Sequence, residues 1–287
     1  FNYNLDDYII TDSLNGKINS FIDLFSLFKL SYNNADYRPM VFISFGIEHL
    51  IFGEFNPTVS HAVNVILYFL VCISGLKLFK LLFKDEYSIL LFLAILLFIV
   101  HPINTEVVCS IKCRDNLLSM LFGLCSSYYY LKFIKKNQSL YTLLIAFVFL
   151  LFAVFSKLDG FGFAIFNIFS VLFFNKNRKL INIIIVIFFT VLVINIRFFV
   201  SDYFTNNNLS GLVTFTENPL ALAFTLPNRL ISGINTVYYY FTKFTYISSS
   251  KYYYGYNYYD ILSLRSVSFI GGIVVITGFV FAFIYSI

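Results

Sequence analysis

The sequence has no tryptophan, only 5 prolines and 3 histidines, and charged residues make up just 12% of its 287 positions. Soluble domains carry about 25% charged residues, so this shortage excludes an ordinary water-soluble protein. Zinc spacing, a nucleotide-binding glycine loop, strand alternation and an internal repeat are all missing. The 4 cysteines do not fill that gap: Cys72 and Cys125 stand inside apolar runs, and Cys109 and Cys113 lack further Cys or His ligands nearby. They are expected to be packed free thiols. What is abundant is apolar and aromatic, with 59% hydrophobic residues, 38 Phe, 22 Tyr and a mean hydropathy of +0.79. That composition defines an all-α, polytopic integral membrane protein.

The net charge of +5 does not point to nucleic acid, because the basic residues are grouped at the ends of apolar runs. Lys77, Lys80 and Lys84 close one run, Lys132, Lys135 and Lys136 a second, and Lys176, Arg178 and Lys179 a third. By the positive-inside rule these clusters mark the cytoplasmic face. The polar opening of the chain then belongs outside. Expected spans are Thr58–Phe83, Tyr87–Val100, Thr105–Phe133, Gln138–Phe155, Phe161–Phe174, Leu180–Val200 and Ser266–Ile287. Tyr87–Val100 falls short of the roughly 20 residues a perpendicular span needs. It stops at His101-Pro102, since proline cannot continue a helix, and places His101 just below the membrane surface near a cavity.

Four parts follow: residues 1–57, a first extracytoplasmic loop; 58–200, the helical membrane core; 201–265, a second external segment; and 266–287, a further span. Met40–Phe52, interrupted by Glu48 and His49, is too short and polar to span and reads as an interfacial helix. Pro227–Ile247 can either lie in the interface or cross. The tract Lys251–Asp260 has the tyrosine content of a headgroup-level belt. Because the chain starts at Phe1 and stops at Ile287 within an apolar run, it is expected to be an internal portion of a longer protein, with a membrane anchor ahead of it.

The polar groups collect on one side. They are the pair Asp6–Asp7, the further loop acids Asp12, Asp23 and Asp36, then Arg38, His101, Glu106, Lys112, Arg114, Lys157, Asp159 and Arg229. A charge in a membrane segment is expensive unless it faces a partner or a polar cavity. Glu106, Ser110 and Arg114, spaced by four, predict one helical stripe, and Lys112 and Asp115 a pair three apart. A carboxylate can take a proton from an attacking hydroxyl while Arg and Lys neutralise a phosphate leaving group. The inventory fits sugar transfer from a lipid phosphate.

The segments LDDY, YRPMVFISFGIEHLIFG, NPTVSHAVNVILYF, HPINTEVVCSIKCRDNLLSMLF, FSKLDG and ENPLA followed by YYYGYN resemble, in this order, the type C (GT-C) glycosyltransferases. The likeness is to the membrane module of the transmembrane and tetratricopeptide-repeat O-mannosyltransferases and their bacterial relatives. It implies a bundle of membrane helices with interfacial helices in two external loops, a polyprenyl-phosphate-linked sugar as donor, and an acid of the first loop as base. Carried over by motif are Asp6 and Asp7 as the acid pair, Arg38 from YRP, His101 and Glu106 from the HP motif, Lys112, Arg114 and Asp115 from IKCRD, and Lys157 from the SK turn. The family often has Glu directly after that lysine, whereas Leu158 stands here before Asp159.

The resemblance implies partners of three kinds: the lipid-linked donor, an acceptor protein or glycan, and membrane lipids. No cofactor is assigned, and a divalent metal is left open. Each residue also has a plainer reading. The acid pair could be solvated loop acids or a helix cap, Arg38 a snorkelling side chain, His101 an orienting residue, and Glu106 with Arg114 a structural pair. Two other functions compete, a transporter or flippase of lipid-linked sugars and an inert subunit of a larger assembly.

Overall fold

The structure, a computed structural model, describes residues 7–14, 16–31, 36–83, 88–136, 139–174, 179–205, 225–246, 264 and 266–285. Among them the regular elements are helical. Asp6 and the tract Lys251–Asp260 lie outside these residues. The chain divides into two units, Phe1–Ser210 and Gly211–Ile287.

The first unit opens with α1 (Tyr8–Leu14) and a 3-10 helix, Phe21–Lys29. Asp23 and Ser20 form a capping box at the start of the latter, with the Ser20 and Asn19 amides donating to the Asp23 carboxylate at 2.8 and 2.9 Å. This polar opening is not a loose loop. Ile10, Leu14, Ile18 and Leu27 are buried with Val41, Phe42 and Phe45 and with Ile111 and Leu118. Helix α2 (Pro39–Phe52) has Pro39 as its first residue, where a missing N–H costs nothing, and ends on Gly53 at φ 79°. It turns its polarity inward: Glu48 is buried while Ile47, Ile51 and Phe52 are exposed.

Helix α3 (Pro57–Leu82) starts at Asn56, whose side chain accepts from the Thr58 amide at 2.9 Å. Then come α4 (Ser88–Val100), a 3-10 turn at Pro102–Asn104, and α5 (Thr105–Cys109). The last two form one apolar helix, bent from α4 by 51° at the break next to His101. The remaining helices of this unit are α6 (Arg114–Lys136), α7 (Leu140–Ser156), α8 (Phe161–Phe174) and α9 (Lys179–Thr205). Helix α6 is the centre, packed against α3, α7 and α8.

Each expected span is found as a helix, with one correction. Thr105–Phe133 is not continuous: Ser110 is extended, at φ −88° and ψ 120°, and a new helix begins at Arg114. Pro57–Leu82, Arg114–Lys135 and Ile181–Phe204 are long and apolar enough to cross a membrane, and the bent pair makes a fourth. The surface agrees with a lipid solvent. Phe69, Ile89, Leu97, Phe188 and Phe199 are exposed, while Ser126, Ser127, Asn167 and Ser170 are buried. A bilayer inverts the usual sorting in this way, because polar groups there must find partners inside the protein.

The second unit pairs α10 (Leu226–Thr245) with α11 (Val267–Tyr285). The Asn235 side-chain oxygen accepts from the Ser266 and Ser268 hydroxyls at 2.9 and 2.5 Å. Gly271 and Gly272 let the helices meet closely, since a Cβ on either would overlap Tyr238 or Ile234.

Candidate functional site

Four helix ends converge in the first unit, and each brings a charge. Arg38 is the residue before α2, Asp115 lies in the first turn of α6, Lys157 follows α7 and Arg197 lies late in α9. Asp36 joins them from the segment ahead of α2. The Arg38 guanidinium donates through Nε to Asp36 Oδ2 at 2.7 Å and through Nη1 to Asp115 Oδ2. Lys157 Nζ is 3.8 Å from the same Asp115 oxygen and 2.7 Å from Asn116 Oδ1. Arg197 Nη2 donates to the Tyr37 carbonyl and, at 3.3 Å, to Asp36 Oδ1. The result is an ionic chain in the order Arg197, Asp36, Arg38, Asp115, Lys157.

This chain has a front and a back. Arg197 and Asp115 are both 4% exposed at the side chain, whereas Arg38, Asp36 and Lys157 are 16%, 22% and 25% exposed. Cations at the front are reachable by a ligand and those behind are not. Tyr37 separates the layers: its ring is fully buried, edge-on to Phe155 and 4.8 Å from the Arg197 guanidinium. Burial raises the Tyr37 phenol well above its usual range, with the Arg197 charge opposing in part. The hydroxyl therefore stays protonated throughout neutral pH.

The turn holding Lys157 depends on Gly160. Leu158–Gly160 folds back on α7, and a Cβ at Gly160 would lie 2.7 Å from the Ala153 carbonyl carbon. Asp159 is 79% exposed and 3.7 Å from Lys157, so water screens it.

Asp7 meets the turn that precedes α6. It is 2% exposed, and its Oδ1 accepts from the Lys112 amide at 2.8 Å. This is not a solvated loop acid, since it is buried and its Oδ1 is held by a backbone group 105 residues away. Asp6 cannot be placed, being outside the described residues. Lys112 meets Asp7 through its backbone and stands in the turn ahead of α6, not on the helix that its spacing from Asp115 assumed.

Arg114 belongs to a second, fully enclosed cluster. Its Nη2 donates to Glu48 Oε2 at 2.8 Å and to the Ser60 carbonyl at 3.0 Å, and its Nε to Asn64 Oδ1 at 3.0 Å. The guanidinium is stacked 3.7 Å from the Phe45 ring centre. No side-chain atom of Arg114 reaches the surface. The predicted stripe with Glu106 is therefore corrected: the helix breaks between them, and Glu106 is exposed on α5. As a substrate contact Arg114 is corrected too, because it is walled in.

His101 accepts from the Ile103 amide at 3.2 Å and caps the Pro102 turn. Arg229 is exposed on the first turn of α10, in the second unit. Cys109 is exposed instead of packed, Cys72 is buried, and burial raises the half-buried Cys113 thiol. Among the described residues, no group of three His, Cys, Asp or Glu side chains is placed to hold a metal. Sequence reasoning missed Arg197, Glu48 and Asn64. An arginine in the apolar run IIIVIFFTVLVINIRFFV was the available signal for the first.

Helices exposing their apolar faces around buried ionic clusters define a polytopic membrane protein with its charged site at the helix ends. Over 122 residues the chain is 35% identical to protein O-mannosyl-transferase TMTC4 of Mus musculus, a stretch covering 38% of this chain and 16% of that protein. It is 35% identical over 94 residues to protein O-mannosyl-transferase TMTC3 of Homo sapiens, covering 33% and 10%. With protein O-mannosyl-transferase TMTC2 of Homo sapiens it shares 38% identity over 104 residues, covering 36% and 12%. The chain resembles this group, and the matched stretch spans less than a fifth of each relative. No family model and no solved structure matches it.

Proposed function

We propose that the chain carries the catalytic face of a glycosyltransferase that moves a hexose, mannose by analogy with its relatives, from a polyprenyl-phosphate donor to a Ser or Thr hydroxyl of a protein. The observation that carries this reading is the ionic chain, in which three cations share Asp36 and Asp115 and leave one positive charge in excess once the water-screened Asp159 is set aside. A polyprenyl phosphosugar is a phosphodiester with one negative charge. Arg38 and Lys157, at the exposed front, are its ligands. Arginine presents a planar fork to phosphate, so Arg38 is the principal contact and Lys157 the second.

In the reaction the acceptor oxygen attacks the anomeric carbon as the bond from that carbon to the phosphate oxygen breaks. The electron pair leaves with the phosphate, and the hydroxyl proton passes to a carboxylate of the acid pair. Asp6 is the base, contributing on the order of 10²–10⁴-fold, and Asp7, pinned by the Lys112 amide, fixes the loop that presents it. Freed phosphate gains negative charge, about −1.5 to −2 in all for a monoester at neutral pH. The cations therefore bind the transition state more strongly than the donor, which is what lowers a barrier. One displacement inverts the anomeric centre, and no covalent sugar-enzyme intermediate forms.

The site is assigned to the extracytoplasmic face. Asp115 opens α6 and Lys135 closes it, about 30 Å away at 1.5 Å per residue, close to the thickness of the hydrocarbon layer. Lys135 Nζ donates to the Leu81 carbonyl at 2.6 Å, so the end of α3 shares that basic end. A transporter of lipid-linked sugars is the second reading, favoured by the 51° break between α4 and the helix after it.

The test is transfer from polyprenyl-phosphate mannose to a Ser/Thr peptide by the full-length protein in lipid. Asp6→Asn/Asp7→Asn should abolish transfer while donor binding survives, and Arg38→Lys should slow it at limiting donor. Full transfer by the double variant would refute the mechanism and return the transporter reading.

A further inference from the structure

We infer that Arg197 is a positioning residue of this site, which holds Asp36 and Tyr37 in place so that Arg38 is aimed at the donor phosphate. The inference rests on the reading of Arg38 as the phosphate ligand, and it names a residue of α9 that sequence patterning did not select.

An arginine inside a membrane span is costly and is kept where it has a specific partner. Arg197 stands in the helix Ile181–Phe204, one of the segments apolar enough to cross, and its side chain is 4% exposed. No ligand can reach it from the front, because Tyr37 and Asp36 intervene. What it does hold is the chain one and two residues ahead of Arg38. The Tyr37 carbonyl and Asp36 Oδ1 both accept from its Nη2, and the Tyr37 ring packs near its guanidinium.

Asp36 is the shared piece. Its Oδ1 faces Arg197 and its Oδ2 accepts from Arg38 Nε at 2.7 Å, so one carboxylate bridges two guanidinium groups. The same Oδ1 accepts from the Tyr37 amide at 2.7 Å. With Nε tied to Asp36 and Nη1 to Asp115, the orientation of the Arg38 fork is set by α9 and α6 before donor arrives. A ligand that finds its arginine already oriented does not have to order it.

The fixing is not complete. Among the described residues, Arg197 Nε and the Tyr37 hydroxyl are buried without a hydrogen-bond partner. Buried polar atoms are paired in the great majority of cases.

The experiment is a double-mutant cycle on the full-length protein in lipid nanodiscs, with polyprenyl phosphate as the binding probe and polyprenyl-phosphate mannose for kinetics. Arg38→Gln and Arg197→Gln should each raise the probe Kd and the donor KM by about tenfold, the scale of one lost charge-assisted contact. The double variant should be no worse than the weaker single, since residues acting through one another are non-additive. kcat at saturating donor should fall in parallel for Arg38→Gln and Arg197→Gln, since a misaimed Arg38 also loses transition-state stabilisation.

Additive losses would show that Arg197 acts independently and overturn the inference, as would an unchanged KM in Arg197→Gln when Arg38→Gln is impaired. Should Arg197→Gln fail to fold, Arg197→Lys keeps the charge but cannot serve Tyr37 and Asp36 together. Its KM should rise at an unaltered melting temperature, and an unaltered KM overturns the inference. If Arg38→Gln itself leaves Kd and KM untouched, the phosphate-site reading has failed, a result separable from the others.

Discussion

At the scale of single residues, Arg114 and Glu48 place opposite charges where no water reaches them. Ser60 donates to Glu48, and Asn64 bridges onward from Arg114 Nε to the Ser110 carbonyl, the latter at 3.0 Å. Breaking a buried pair on one side strands the other charge, at a cost of about 3–5 kcal/mol. Glu48→Gln should therefore lower the melting temperature sharply, and Glu48→Leu/Arg114→Met should be less destabilised than either single change. Equal stability of Glu48→Gln and the parent would contradict this. Sequence patterning took Glu48 as the polar interruption of a surface helix, because hydropathy records that a charge is present and not which way it points. Asp7 stood out in the sequence as one of an acid pair, but its partner, the Lys112 amide, did not.

At the scale of elements, the apolar runs predicted the helices well and their breaks poorly. Nothing in Glu106–Arg114 signals an interruption, since the stretch VVCSIKC holds no proline or glycine. The interruption comes from elsewhere in the fold. Asn64 on α3 takes the Ser110 carbonyl and Asp7 takes the Lys112 amide, so backbone groups a continuous helix would satisfy are claimed by distant side chains. By contrast, the SKLDG turn was legible, and its glycine explains why. Gly160→Ala should force the turn off α7 and displace Lys157, because the nearest atoms are Ala153 and Val154 backbone. A several-fold rise in donor KM is expected, measured as transfer rate against donor concentration. At the end of α2 the reason differs. Gly53 sits at φ 79° with open space around it, so Gly53→Ala should cost only about 1 kcal/mol, from backbone strain. Thermal unfolding would register the difference.

At the scale of the first unit, Lys132, Lys135 and Lys136 lie at the opposite end of α6 from Asp115 and its ionic chain, which gives that helix a polarity. Cysteines introduced near Lys135 should react only with reagent on the cytoplasmic side, and those near Asp12 only from outside. Labelling with an impermeant maleimide would reverse the orientation if the pattern were exchanged. The enclosed Arg114–Glu48 pair adds a constraint on biogenesis. Arg114 opens a helix that enters the membrane after α2 and α3 have been synthesised, and its counter-charge and hydrogen-bond acceptors lie on those two earlier helices. Each partner is thus waiting when the arginine arrives. The order of the chain becomes an order of assembly, in which α2 and α3 form the receptor onto which the start of α6 docks.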